Sequence, residues 1–176
     1  MKQLIILVIF FVASFCKAQD KPKDVFDTAR RGTLAEMKSL EAIDKDTINA
    51  ISPMGFSPLI LACYRGNTAV AEYLAKKVKD INYNSSSGTA LAATAVKGDV
   101  YLSKILLESK ADPNIADPTG MTPLLYAVQF ENKELVELLL KHKANVKQAD
   151  KEGRTPLDHA AFTNNQEIIN LLKTNR

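Results

Sequence analysis

The sequence predicts an all-α fold: a solenoid of about five stacked helix-turn-helix units joined by β-turn or hairpin loops. Three observations carry that prediction. A hydroxyl–apolar signature returns as Ser57-Pro58-Leu59, Thr89-Ala90-Leu91, Thr122-Pro123-Leu124 and Thr155-Pro156-Leu157, spaced by 32, 33 and 33 residues. Five residues after each hydroxyl stands a small residue (Ala62, Thr94, Ala127, Ala160), and nine after it a break between helices (Gly66, Gly98, Glu131, Asn164). Apolar pairs follow in phase at Tyr73-Leu74, Ile105-Leu106, Leu138-Leu139 and Leu171-Leu172. One helix pair cannot bury such a stripe by itself, so the copies must stack.

At the amino end, residues 1–18 read as a secretory signal peptide. Lys2 supplies a positive start, residues 4–15 form an apolar run too short to span a bilayer comfortably, and small residues at 16 and 18 precede a cleavage point after Ala18. Lipidation of Cys16 is the alternative, weakened by Phe15 where such sites take a small residue. Residues 19–23 are a short polar leader, expected to be disordered. Cleavage would remove Lys2 and Lys17, leaving 21 basic against 20 acidic residues, a net charge of +1. It would also leave Cys63 as a lone cysteine, so no internal disulfide holds the mature chain.

The repeat domain is expected over residues 24–176, with units at about 24–52, 53–84, 85–117, 118–150 and 151–176. Unit one lacks the hydroxyl–Pro–Leu signature but opens on Asp24 and Asp27, where the helix dipole favours negative charge; projecting the register back aligns Ala29 and Gly32 with the later units. Unit two follows the signature at 57–59. Unit three has a loop one residue short, with Gly88 directly before Thr89. Unit four has the best-formed copy: Thr122 caps the first helix, Pro123 occupies its first turn, and Leu135, Leu138, Leu139 and Leu140 stripe the second. Unit five ends in polar residues, including Asn164, Asn165 and Asn170, as an outer face requires.

These landmarks resemble the ankyrin-repeat family, over nearly all of the chain beyond the leader. The departures are the absence of the His that often follows Thr-Pro-Leu, with Ile60, Ala92, Leu125 and Asp158 in its place, and Lys110 and Lys143 where Gly usually ends the second helix. The resemblance implies a concave binding surface made of turn tips and the outer ends of the first helices. Carried over unit by unit, it places Met54, Phe56, Tyr64, Arg65, Val96 and Lys97 on the first half of that face, and Met121, Gln129, Phe130, Arg154 and Phe162 on the second. Arg31, Arg65 and Lys97 would form a basic row beside large apolar groups, the composition of binding hot spots.

Catalytic chemistry is not legible. His142 and His159 have no partner at metal-ligand spacing, and Cys63 stands where sister units carry Ala95, Val128 and Ala161, so it reads as a small core residue. Most of the carboxylates read as solvent-face charge, such as Glu137 with Lys141 four residues on. Asn84-Ser85-Ser86 fits the glycosylation pattern, which matters only in a eukaryotic secretory route, and Lys76, Lys77 and Lys79 read as a solvated helix end. The expectation is a non-enzymatic, secreted or periplasmic protein-binding module that needs no cofactor and no metal. Its partner would be a protein rather than nucleic acid, it would be free of the membrane after cleavage, and it would be a monomer. Its size and layout also resemble small periplasmic ankyrin proteins that accompany catalase, which implies the alternative of an accessory factor in oxidative defence.

Overall fold

A computed structural model describes residues 24–175; the signal peptide and leader expected over residues 1–23 lie outside the described residues. Ten α-helices run in pairs: α1 (Val25–Arg31) with α2 (Leu34–Ile43), α3 (Pro58–Arg65) with α4 (Thr68–Ala75), α5 (Ala90–Lys97) with α6 (Val100–Glu108), α7 (Pro123–Gln129) with α8 (Lys133–Lys141), and α9 (Pro156–Thr163) with α10 (Gln166–Thr174). A 3₁₀ turn, Thr47–Asn49, follows α2. The first helices stack on one another as an inner layer and the second helices as an outer one, each unit meeting its immediate neighbours. Met37, Leu74, Leu91, Leu106, Leu124, Leu135, Leu139 and Ile168 are fully buried between the layers.

The repeated hydroxyl does what its position demands. Ser57, Thr89, Thr122 and Thr155 accept from the backbone N–H three residues on, at 3.3, 3.2, 3.2 and 3.3 Å, satisfying donors the helix itself cannot pair. The second helices of units three to five are capped by Asp99, Asn132 and Asn165 at 2.9, 3.0 and 3.2 Å. In unit two, Asn67 is used differently. Its Nδ2 donates back into unit one, to the carbonyls of Ala29 at 3.1 Å and Gly32 at 2.9 Å, with Thr28 O at 3.4 Å.

The breaks between paired helices adopt the left-handed conformation at Gly66, Gly98, Glu131 and Asn164. Gly32 departs from that register: its φ is −84°, an ordinary value, and it is glycine for room, since a Cβ there would lie 2.7 Å from Thr28 Cα. Lys110 and Lys143, which follow α6 and α8, do take positive φ values of 74° and 66°.

Three of the turn tips close alike. Ser52, Asp117 and Asp150 each exchange backbone hydrogen bonds with Phe56, Met121 and Arg154 or the glycine before it. Unit three closes one residue sooner, Ser85 pairing with Gly88 through two bonds of 3.1 Å. At the base of the loops an asparagine ladder joins successive units: Asn49 accepts from Lys79 N at 2.8 Å, Asn82 from Asp112 N at 2.8 Å and Asn114 from Asn145 N at 2.7 Å.

Candidate protein-binding surface

The inner helices and the turn tips frame a concave face that carries two adjoining grooves. The first encloses about 680 Å³, and Met54, Phe56, Tyr64, Arg65 and Val96 line it. The second encloses about 400 Å³, and Met121, Gln129, Arg154 and Phe162 line it. Lys97 joins the first through its ammonium, 5.5 Å over the Tyr64 ring. Phe130 stands beside it, stacked on Tyr126 with ring centroids 6.4 Å apart and planes at 7°. Nine of the eleven residues expected from the register line the two hollows, and Lys97 and Phe130 lie against Tyr64 and Tyr126 of the first.

Their exposure differs. Met54 is 71% exposed, Tyr64 50%, Phe130 53% and Phe162 79%. Phe56 is half-buried and packs on the core. Met121 lines the second groove but is only 8% exposed. Its backbone N–H and C=O are both held by Asp117, which pins the turn. Arg154 is also committed, its guanidinium reaching Asp150 at 2.8 Å and Glu152 at 2.8 Å. Arg31, at the head of the expected basic row, lies 3.5 Å from Asp27, which also holds Arg30 at 3.3 Å.

Two carboxylates depart from the solvent-face pattern of the rest. Asp117 and Asp150 are buried, each locking a turn tip to the inner helix that follows it. Asp117 Oδ1 accepts from Thr119 N at 2.7 Å and Met121 N at 3.1 Å, while its Oδ2 accepts from the Tyr126 hydroxyl at 2.5 Å. One unit later Asp150 Oδ1 accepts from Arg154 N at 2.9 Å and its Oδ2 meets His159 Nε2 at 2.8 Å. Burial pushes the Asp150 carboxyl up, but the Arg154 N–H, His159 and the Arg154 guanidinium outweigh it and hold the group down at about 2. Burial, and then the bond to Asp117, raises the Tyr126 phenol to about 12. His159 is thus a partner of a buried acid, beyond simple packing. The signal was in the sequence, since Asp117 and Tyr126 recur 33 residues later as Asp150 and His159.

Comparison with known proteins bears on what such a stack is. The family model described as ankyrin repeats (3 copies) matches residues 27–117 and again 91–176. The chain belongs to the ankyrin-repeat family. Among curated proteins it is similar to protein fem-1 homolog A-like of Mus musculus, 34% identical over 84 residues, 47% of this chain and 13% of that protein. It is also similar to ankyrin repeat and SAM domain-containing protein 6 of Rattus norvegicus, 28% identical over 101 residues, 56% of this chain and 11% of that protein. The chain thus spans only a small part of the length of these relatives. Ankyrin repeats are protein–protein interaction modules, and their fold is a non-enzymatic scaffold.

Within this ankyrin array Cys63 is fully buried, and desolvation, with a smaller push from Asp99, drives its thiol far up, away from the reactive thiolate. Among the described residues no three His, Cys, Asp or Glu side chains gather where they could hold a metal ion. No described helix is long and apolar enough to cross a membrane.

Proposed function

We propose that this ankyrin array is a non-enzymatic adaptor that captures a protein partner on its concave face. The observation that supports the reading most is that Met54, Tyr64, Phe130 and Phe162 are large apolar groups left exposed on the face that also carries Arg65 and Lys97. Rigid aromatic side chains next to Arg are the groups that dominate interface energetics, each worth on the order of 2 kcal/mol or more. Tyr64→Ala combined with Phe130→Ala should abolish capture of a partner identified by mass spectrometry and then reconstituted, while helical content and melting stay nearly unchanged. Capture that survives the pair would sink the concave-face assignment.

The setting we propose is the periplasm or the extracellular space, on the strength of Lys2 and the apolar run at residues 4–15. Amino-terminal sequencing of the protein from its own cells should then begin at Gln19; a chain that keeps Met1 and stays in the cytoplasm would refute this. An accessory role beside an enzyme of oxidative defence such as catalase is the form this reading takes if the reconstituted partner is such an enzyme and gains resistance to inactivation in the complex.

A further inference from the structure

The two grooves of the concave face have different origins. In units four and five the tip acid locks onto a ring on the inner helix, Asp117 onto Tyr126 and Asp150 onto His159. At the equivalent positions units two and three carry Ser52 with Leu61 and, across the shortened hairpin, Ser85 with Ala93, which cannot form that lock. Ala93 carries no ring and is 6% exposed, and the tip residues Ser86 and Ser87 share the groove lining with it. The larger groove lies there, bounded by Leu61, Ala93, Val96 and Tyr64, with Tyr126 on its far side. Its 680 Å³ falls among the volumes of sites that hold small ligands, about 300–1,000 Å³.

The rim of this hollow is basic. Arg30 and Arg65 line it, and Lys97 stands over the Tyr64 ring. Asp117 is the acid in the lining, and its oxygens are already engaged by Thr119, Met121 and Tyr126. Asp27 lies among the cations, between Arg30 and Arg31.

We propose that the hollow over Ala93 receives an aromatic or large aliphatic side chain from an acidic linear segment of the partner protein, with flanking carboxylates on Arg65 and Lys97. The segment supplies the ring that unit three lacks, and its carboxylates answer the rim. This rests on the concave-face reading and narrows it to one groove and one ligand chemistry.

The test is to pan a random linear peptide library against the chain, then measure a synthetic enriched peptide by fluorescence anisotropy. Enriched sequences should carry an aromatic or large aliphatic residue flanked by Asp or Glu. Affinity should fall at least about tenfold in Ala93→Tyr, which fills the hollow, and in Arg65→Glu, which reverses the rim. Melting should stay at the unsubstituted value; Ala93→Leu serves as the smaller filler should the tyrosine disturb folding. Enrichment of basic or purely polar peptides, or of none, overturns the proposal. Binding lost in Phe162→Ala with Arg154→Ala but kept in Ala93→Tyr moves the ligand to the second groove, leaving the concave-face reading intact. Binding indifferent to both sets removes that reading as well. A dimer by light scattering that Ala93→Tyr dissolves would mean that a second copy fills the hollow, which also overturns the proposal.

Discussion

A methyl group added at Gly120 would lie 2.6 Å from the amide nitrogen of Lys151, and the residue holds φ at +86°. That amide donates to Thr119 O at 3.2 Å, so the close approach is a contact between the tips of units four and five. Gly55 has nearly the same φ, +80°, but open space around it. Gly120→Ala should therefore cost about 2 kcal/mol or more and Gly55→Ala about 1 kcal/mol, read from urea midpoints. Equal losses would show that only the backbone conformation matters. Asp150 gives a pH signature at the same scale. Its folded carboxyl titrates near 2, and an unfolded aspartate near about 3.9. Between those values the unfolded chain binds the extra proton, so stability rises with pH across the window. The contribution is complete above the unfolded value and lost as pH falls through the folded one. Melting temperature followed between pH 2 and 5 should climb less steeply in Asp150→Asn than in the unsubstituted chain. Superimposable slopes would remove Asp150 from the account.

The helix pairs were the most legible part of the chain because their signals are local. Ser57, Thr89, Thr122 and Thr155 act on an N–H three residues away, and any sequence that spells the cap spells the bond. The joints between pairs were less legible. Asn67 sits where Asn132 and Asn165 sit, yet only it reaches three carbonyls of the unit before. The reason is that unit one breaks at Gly32 in extended rather than left-handed form, turning the carbonyls at the end of α1 toward α4. Asn67→Ala should cost about 1–3 kcal/mol by leaving those acceptors without their donor. Asn132→Ala, which loses a cap and one long bond of 3.3 Å to Gly98 O, should cost about 1 kcal/mol. Denaturant titration of both variants checks the order; a larger loss at Asn132 contradicts it.

At the scale of the whole molecule, contact between neighbours alone makes stability a chain of joints. A lesion at one joint should be felt locally. In native-state hydrogen exchange, Gly120→Ala should speed exchange in α9 and α10 well before α3 and α4, and uniform acceleration would show a single cooperative block. The concave face itself was half legible. Register alone placed Tyr64, Arg65, Gln129 and Phe162 on one side, since it depends only on the repeat. It could not tell that Met121 is nearly covered or that Arg154 is held by Asp150, because those depend on bonds closed across the tip. Nor could it show a hollow, which is made by what Leu61 and Ala93 fail to fill. The shortened hairpin of unit three, Ser85 to Gly88, adds a consequence for the kind of chain such a hollow can hold. A rim of equal tips would favour a ligand that ends inside the groove. With one tip a residue shorter, a bound polypeptide would meet a lower wall at unit three and need not end there. The recognised stretch is then free to be an exposed internal loop of a folded protein as much as a tail.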